Sequence, residues 1–210
     1  MGLWHAIGDQ LSNPRGLAGQ LVGRAMRWAN DQPTRLAVDA LNPAPGDSIL
    51  DVGCGPGHGV ALLSRLVPEG RVTGIDRSPV MIEQARTLNA RAIARDRVAL
   101  SVQNFHALPF PGQSFDGILA SNVIYFWPDP ADMISRLRTL LRPGGRLVIY
   151  ATSAQTMQRW KFARTGTHHW VDRSILEAAL REGGFDDGHI TIDEVRLPAN
   201  VDGLVATAMR

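Results

Sequence analysis

The stretch Leu50-Asp-Val-Gly-Cys-Gly-Pro-Gly-His-Gly59 is the part of the chain that decides its fold. An apolar run over residues 48–53 stops at glycines, and apolar side chains then recur at helical spacing from 58 to 67. Between a strand and a helix, a loop without Cβ atoms lets the backbone approach a ligand and aims the helix N-terminal amides at the ligand's polar groups. A tight turn explains one glycine but hardly four within seven residues. The stretch therefore predicts a binding loop.

Strands and helices alternate along the rest of the chain from residue 48 onward. Short apolar runs predict strands at 48–53, 71–76, 97–103, 115–121, 146–151, 189–195 and 203–209. Amphipathic segments predict helices at 58–67, 78–94, 129–141 and 172–182. Such alternation indicates a mainly parallel sheet covered on both faces. The predicted fold class is α/β, a Rossmann-like three-layer α/β/α sandwich with a mainly parallel seven-stranded sheet and N-terminal covering helices.

The first 45 residues follow a different pattern. Apolar side chains at 17, 21, 25 and 28 fall on one helical face, and those at 36, 38, 40 and 41 indicate a second short helix. These helices have no separate core of their own. We therefore expect residues 1–45 to form a helical lid within the same domain as a core of residues 46–210.

Composition excludes several classes of protein. The chain has 210 residues, of which 44% are hydrophobic and 20% charged, an ordinary globular balance. Its formal net charge of +2 is too small to imply a polyanionic partner. One cysteine, Cys54, excludes an internal disulfide and a cysteine-based zinc cluster. No apolar run approaches the ~20 residues of a membrane span. With a single cysteine as well, we expect a cytoplasmic protein, and we expect no metal ion.

The spacing of the glycines identifies the kind of ligand. Position 58 is histidine, where the dinucleotide fingerprint GxGxxG would require glycine, and no lysine follows as a phosphate-binding P-loop would need. The second predicted strand ends at Asp76, 21 residues beyond Gly55. A carboxylate there can accept hydrogen bonds from both hydroxyls of a ribose. Loop and carboxylate together predict a nucleoside ligand.

These residues resemble the cofactor site of class I S-adenosylmethionine-dependent methyltransferases, in particular the small-molecule group that includes the ubiquinone and menaquinone biosynthesis enzymes. Four further segments resemble motifs of that family, in order and at suitable spacing across about residues 45–152: Gly74–Ser78, Leu108–Phe110, Phe115–Asn122 and Leu141–Gly145. The resemblance covers about half of the chain. It implies S-adenosylmethionine as the cofactor.

The resemblance also implies a role for individual residues. It would place the cofactor's aminocarboxypropyl tail against Asp51, Gly53, Cys54, Gly55 and Gly57, and the ribose hydroxyls at Asp76. It would place adenine against Met81 or Arg77, with Asn104 and Phe105 at the adenine edge, and the cofactor ammonium at the backbone carbonyl of Ser121. Asn104 departs from the family's usual aspartate, and Phe105 replaces a residue that is commonly small.

Methyl transfer requires the acceptor to be held about 3 Å from the methyl group, and it requires a base only where the nucleophile arrives protonated. No catalytic residue is identified, and the candidates for a base are His58, Tyr125, His168 and His169. The aromatic residues 125–127 could wall an acceptor pocket or place a π-face near the sulfonium, or they could simply pack under the lid.

The sequence excludes some acceptors and leaves others open. Asn122 is followed by Val-Ile-Tyr, whereas a DNA amine methyltransferase would need Pro-Pro-aromatic, so no DNA partner is expected. Arg91, Arg95 and Arg97 could form a basic patch for RNA, although a solvated helix face is the favoured explanation. A small organic acceptor is therefore preferred. An RNA methyltransferase, a non-catalytic S-adenosylmethionine-binding protein and a nicotinamide oxidoreductase are the alternatives, and the oligomeric state is not indicated.

Overall fold

A sheet of seven strands runs through the chain, which the computed structural model describes over residues 30–104, 108–164 and 168–210, without the side chains of 162 and 164. Its strands are β1 Ser48–Val52, β2 Arg71–Asp76, β3 Val98–Val102, β4 Phe115–Ser121, β5 Leu141–Thr152, β6 Ile190–Leu197 and β7 Val201–Met209. They lie in the order β3-β2-β1-β4-β5-β7-β6. Strands β1 to β5 are parallel, and β7 is antiparallel to both β5 and β6. The predicted mainly parallel seven-stranded sheet is confirmed.

Helices cover both faces of this sheet, as predicted. They are α1 Asp31–Leu41, α2 His58–Leu66, α3 Pro79–Ile93, α4 Pro130–Leu140, the single turn α5 Ala154–Met157 and α6 Arg173–Glu182. Three of the longer helices begin at a polar cap: the side chains of Ser78, Asp129 and Asp172 each accept a hydrogen bond from a backbone amide of the first turn. The predicted starts of these three helices, at 78, 129 and 172, are confirmed.

Alternate side chains of the central strands enter two separate cores. One core joins α1, α2 and α3 to the sheet through residues such as Val38, Leu63 and Ile82. The other joins α4 and α6 to the opposite face through residues such as Leu137 and Leu176. The three-layer sandwich follows from this alternation, because each face of the sheet is apolar and requires a cover.

The structure differs from the prediction at β5. The strand begins at Leu141 rather than at 146, and its pairing with β4 is irregular between Phe115 and Gly117. The extra residues include Pro143, which has no amide hydrogen to donate, and Gly144, whose φ is +78°. The residues between the predicted helix end at 141 and the predicted strand start at 146 thus form an irregular start of the strand. Neither α5 nor the 3-10 turn Lys161–Arg164 was predicted.

The N-terminal part of the prediction is only partly described. Helix α1 packs against the sheet beside α2 and belongs to one of the two helical layers. The expected boundary at residue 45 falls in the connection between α1 and β1. Residues 1–29 of the predicted lid lie outside the described residues. Among the helices that are described, none is long and apolar enough to cross a membrane.

Candidate functional site

The glycine loop between β1 and α2 lies at the carboxyl ends of β1, β2 and β4. The backbone amides of Gly53 and Cys54 both donate to the carbonyl of Ile75, over 2.8 Å and 3.0 Å. These bonds attach the loop to the end of β2. On the other side, a Cβ atom on Gly53 would lie 2.5 Å from Cγ2 of Val123, which follows β4. The loop is therefore held between the two strands that flank β1.

The loop glycines serve two different purposes. Gly53, Gly55 and Gly57 all have positive φ, at +70°, +52° and +83°. A Cβ atom on Gly57 would lie 2.7 Å from Cβ of Ala85, so glycine permits α2 and α3 to pack closely there. A Cβ atom on Gly55 would meet nothing within 4 Å. Gly55 thus borders open space, as a loop that receives a ligand requires.

Asp76 stands at the end of β2 and faces the loop. Its Oδ2 accepts a hydrogen bond from the amide of Gly55 over 2.9 Å, and its Oδ1 accepts one from the amide of Ser78 over 2.8 Å. The residue is 9% exposed, and burial raises the pKa of its carboxyl group. A carboxylate has about four acceptor positions. Because the backbone amide of Arg77 also contributes a hydrogen bond, the carboxylate retains capacity for at least one ligand hydroxyl.

Asp51 lies in β1, on the side of the sheet that carries α2. It is 3% exposed, and a Cβ atom on Gly59 would lie 2.6 Å from its Oδ2. Burial and, second, the negative charge of Asp76 raise the pKa of its carboxyl group to about 7. Among the described residues, no basic side chain forms an ion pair with it. A ligand cation beside Asp51 would restore the ionised form.

The other predicted cofactor residues are distributed around the same edge. Ser121 ends β4, and its Oγ is buried without a hydrogen-bond partner in the described part of the chain. Met81 is buried in the first turn of α3, and Asn104 is exposed after β3. Phe105 lies outside the described residues. The guanidinium of Arg77 lies over the ring of Phe126, 5.7 Å from its centroid.

Cys54 is not a nucleophile in this setting. Its side chain is buried, and burial together with the charges of Asp51 and Asp76 raises the pKa of the thiol well above its usual range. The thiolate is the reactive form of cysteine. The thiol therefore stays protonated at neutral pH and contributes packing to the loop.

A polar network forms the end of the site between β4 and β5. Tyr125, in the 3-10 turn Ile124–Phe126, donates its hydroxyl hydrogen to Oδ1 of Asn122 over 2.8 Å and accepts a hydrogen bond from the amide of Thr152. Thr152 Oγ1 also donates to Oδ1 of Asn122, over 3.2 Å. Burial raises the pKa of the Tyr125 hydroxyl. The hydroxyl of Tyr125, one of the four candidate bases, is therefore occupied by hydrogen bonds within the protein.

His168 and His169, which precede α6, lie in different surroundings. The ring centroid of His168 lies 4.9 Å from that of Phe126 and 6.4 Å from that of Tyr125. Burial lowers the pKa of His168 to about 4, so its imidazole is neutral at pH 7. The backbone amide of His169 donates to the carbonyl of Tyr125 over 3.0 Å, while its side chain is exposed. Of the two histidines, the structure therefore brings only the ring of His168 to the rings of Tyr125 and Phe126.

His58 is held by a residue that sequence reasoning missed. Its Nε2 lies 2.7 Å from Oδ1 of Asp31, in the first turn of α1. Asp31 also accepts a hydrogen bond from Nε of Arg35 over 3.0 Å, and this bond is the main cause of the lowered pKa of its carboxyl group. No spacing in the sequence indicates a contact between residues 31 and 58.

Asn122 was likewise missed as a member of the site. Its Nδ2 donates to Oδ1 of Asn30 over 3.0 Å, which joins the end of β4 to the residue before α1. Its φ of +55° is one that asparagine adopts more readily than most residues. In the described part of the chain, no three histidine, cysteine or acidic side chains lie close enough together to hold a metal ion.

Comparison with known proteins identifies the family. Residues 43–184 match a family model described as a methyltransferase domain. The chain belongs to this family. A solved structure of a methyltransferase dependent on S-adenosylmethionine, from Aquifex aeolicus, covers 97% of the chain with a TM-score of 0.70 at 17% identity, with 97% of its own length matched. At this identity the likeness shows the fold, and it confirms the Rossmann-like methyltransferase architecture.

Two curated relatives of the methyltransferase domain share more of its sequence. A demethylmenaquinone methyltransferase from Symbiobacterium thermophilum is 34% identical over 52% of the chain and 44% of its own length. A trans-aconitate 2-methyltransferase from Methylobacterium radiotolerans is 37% identical over 57% of the chain and 44% of its own length. The chain spans about half the length of the curated relatives it matches. The predicted resemblance to quinone-type and other small-molecule methyltransferases is confirmed.

The described residues fit S-adenosylmethionine, the cofactor of such a domain. The open space at Gly55, the unused acceptor positions of Asp76 and the unpartnered hydroxyl of Ser121 lie at one edge of the sheet. The two buried carboxylates supply negative charge for a cationic ligand. The contacts of each residue with the cofactor stay predictions.

Proposed function

We propose that this methyltransferase domain transfers a methyl group from S-adenosylmethionine to a small organic acceptor. One arrangement supports the proposal above all: Gly55 borders open space while its amide is fixed by Asp76, and Asp51 lies buried nearby without a cationic partner among the described residues. The cofactor, when bound, supplies a methyl group on a positively charged sulfur. Asp76 would bind the ribose hydroxyls, and ionised Asp51 would favour the ammonium of the tail.

The protein's own contribution to catalysis is positioning and exclusion of water. Among the candidate bases, Tyr125 has a raised pKa and a committed hydroxyl, and His168 has a pKa of about 4, which makes it a weak proton acceptor at neutral pH. A base is needed only if the nucleophile arrives protonated. The site therefore suits an acceptor that is nucleophilic as bound, brought into line with the methyl group by the wall after β4.

The segment between β5 and α6 favours an acceptor with negative charge. Residues 153–171 contain Arg159, Lys161 and Arg164 but no aspartate or glutamate. The guanidinium of Arg159 binds Oγ1 of Thr156 and the carbonyl of Asn200, neither of which carries a charge. A carboxylate acceptor would meet favourable potential here and would need no base. The trans-aconitate methyltransferase, named for an acid, is a relative of matching chemistry.

RNA is the second candidate, because the same basic segment also carries Trp160 and Trp170. Cationic side chains interleaved with aromatic ones can bind phosphates and stack bases. The small net charge of +2 weighs against a polyanion as the main partner. A cytoplasmic location is part of the proposal. It is supported by the single cysteine, which is buried and free, because proteins in oxidising compartments more often contain disulfides.

The experiment that tests the function begins with the cofactor. Purified protein is titrated calorimetrically with S-adenosylmethionine, S-adenosylhomocysteine, NADH and NADPH. We expect micromolar binding of the two sulfur nucleosides alone, and binding of a dinucleotide alone would overturn the proposal. Formation of S-adenosylhomocysteine is then measured with carboxylic acids, their methyl esters and bulk RNA. Turnover of the acids alone supports an anionic small acceptor, and turnover of RNA alone replaces it.

A further inference from the structure

Three aromatic side chains follow β4, and only one of them is available to a ligand. Tyr125 and Trp127 are 4% and 1% exposed and belong to the core on the α4 side. Phe126 packs against that core but remains only partly buried. The sequence could not distinguish the three. Phe126, which follows the carboxyl end of β4, is therefore the one of the three whose side chain is partly exposed.

A cation already lies on the ring of Phe126. The guanidinium carbon of Arg77 is 5.7 Å from the ring centroid, within the range of a cation–π interaction. Arg77 follows β2 and Phe126 follows β4, and in the sheet β1 lies between these strands. The pair therefore meets across the end of β1, where the glycine loop is. A cofactor that extends from Asp76 toward Ser121 must pass the same place.

The charges around this pair favour a cation. Asp51 and Asp76 are buried acids at the adjoining ends of β1 and β2. His168, whose ring also contacts Phe126, is neutral at pH 7 because burial lowers its pKa to about 4. Among the described residues Arg77 is therefore the charged group on the ring, and a ligand cation that takes this face would compete with it.

From this juxtaposition we propose that Phe126 offers its ring to the positively charged sulfur of the cofactor, in competition with the Arg77 guanidinium that lies on the same ring. The inference rests on the proposed function. It makes Phe126 a specificity-determining residue that distinguishes the charged cofactor from its neutral product. The sequence resemblance implies that Arg77 or Met81 contacts adenine. In this proposal Arg77 instead competes with the cofactor for the ring of Phe126.

The exchange has a consequence for turnover. In methyl transfer the bond between carbon and sulfur breaks, its electron pair stays on sulfur, and the methyl carbon bonds to the acceptor's nucleophilic atom. The sulfur becomes neutral and loses its electrostatic attraction to the ring. Arg77 keeps its charge and can return to Phe126. Product exchange is favoured because the ring binds the spent cofactor less strongly than the fresh one.

The test compares ligands that differ in charge. Calorimetry measures the Kd of S-adenosylmethionine, of sinefungin, which has an amine in place of the methylsulfonium, and of neutral S-adenosylhomocysteine. For Phe126→Leu we expect the two cations to bind roughly 3- to 30-fold more weakly, with S-adenosylhomocysteine changed less than about twofold. Phe126→Tyr retains a π-face and should restore the affinity for both cations. Equal weakening of all three ligands, or no change, would overturn the proposal.

A second cation–π pair provides the matched control. Arg138 lies 5.8 Å from the ring centroid of Phe185, which is 3% exposed and belongs to the core on the α4 side. Phe185→Leu should leave the ratio between the Kd of S-adenosylmethionine and the Kd of S-adenosylhomocysteine unchanged, even if the substitution lowers the stability of the fold. A changed ratio there would mean that the ratio reports general loosening, and would overturn the assignment.

Substitution of Arg77 tests the exchange separately. With Arg77→Gln the ring has no competing guanidinium, so the preference for S-adenosylmethionine over S-adenosylhomocysteine should increase a few-fold. An unchanged or lowered preference would overturn the competition between Arg77 and the cofactor. If the unsubstituted protein binds neither nucleoside, the proposed function itself has failed. If it binds both and the variants keep its preference, only the present inference has failed.

Discussion

The backbone amide of Gly55 donates a hydrogen bond of 2.9 Å to Oδ2 of Asp76, 21 residues further along the chain. The bond joins the middle of the glycine loop to the end of β2. The amide of Ser78 holds the other carboxylate oxygen over 2.8 Å. Asp76 therefore shapes the loop, and the two sequence features that indicated a nucleoside site are parts of one hydrogen-bonded unit.

Replacing Asp76 should weaken both sulfur nucleosides to a similar degree. Asp76→Ala removes the acceptor for the ribose and releases the Gly55 amide, so we expect a loss of roughly 1.5–3 kcal/mol in binding, from lost hydrogen bonds to a charged group. Calorimetry with S-adenosylmethionine and S-adenosylhomocysteine measures it. The control is Asp96→Ala, because the side chain of Asp96 is 85% exposed and pairs with Arg71 at 2.9 Å. Unchanged affinity in a folded Asp76 variant would remove this residue from the site.

A methyl group at Gly55 should cost cofactor affinity, whereas one at Gly144 should not. Both glycines have positive φ, +52° and +78°, and a Cβ atom at either would meet nothing within 4 Å. Alanine should therefore destabilise either variant by about 1–2 kcal/mol. Gly144 lies near the start of β5, away from the loop. Thermal unfolding should show similar losses, and equal cofactor affinity in the two variants would mean that the loop is only a turn.

Cofactor affinity should rise with pH through neutrality. The pKa of Asp51 is raised to about 7, by burial first and by Asp76 second, so at pH 6 most of the unliganded protein carries a protonated Asp51. A cationic cofactor tail favours the ionised form. The Kd of S-adenosylmethionine should fall between pH 6 and 8, and Asp51→Asn should remove most of that dependence. A pH-independent Kd in the unsubstituted protein would contradict this role.

The same carboxyl group should make the unliganded protein less stable at high pH. In the unfolded chain Asp51 titrates near 3.8, and in the folded protein near 7, so the folded state binds more protons between these values. Its contribution to stability is therefore complete below pH 3.8 and is lost as the pH rises through about 7. At pH 8, Asp51→Asn should be more stable than the natural protein by chemical unfolding, although it binds the cofactor less tightly. Lower stability of Asp51→Asn at pH 8 would contradict this.

Local sequence predicted the parts of the fold that depend on periodicity and capping. The alternation of strands and helices, the cap at Ser78 and the glycine loop are encoded within a few residues of where they form. The chain between Gly55 and Asp76 contains α2 and β2, and the parallel pairing of β2 with β1 brings the two residues together. Such contacts can be predicted because they follow from the topology of the sheet.

Contacts between segments that are not paired in the sheet could not be predicted in this way. His58 pairs with Asp31 only because α1 packs beside α2, and nothing near either residue encodes that packing. Of the aromatic residues that follow β4, the burial of Tyr125 depends on Asn122 and Thr152, which lie on different strand ends. The direction of a side chain in a 3-10 turn is set by its tertiary neighbours. From the sequence, residues 125–127 could therefore line an acceptor pocket or simply pack in the core, and Tyr125 could also be a base.

The role of Tyr125 can be decided by removing only its hydroxyl group. Tyr125→Phe takes away the acceptor of the buried Thr152 amide and the donor to Asn122, so we expect a loss of about 1–3 kcal/mol in the free energy of unfolding. Cofactor affinity should change by less than about twofold, because the predicted nucleoside contacts are elsewhere. Tyr150, the chain's other tyrosine and also buried, is the matched control, since Tyr150→Phe leaves the hydroxyl of Tyr125 in place.

The rate of methyl transfer distinguishes structure from catalysis at this position. A general base contributes about 10²–10⁴-fold, and its removal changes the pH profile of the rate. With the raised pKa and the committed hydroxyl of Tyr125, we expect Tyr125→Phe to retain the pH profile and to lose no more rate than its stability explains. A hundredfold loss of rate in a variant that is folded and binds the cofactor normally would make Tyr125 the base and the acceptor a protonated nucleophile.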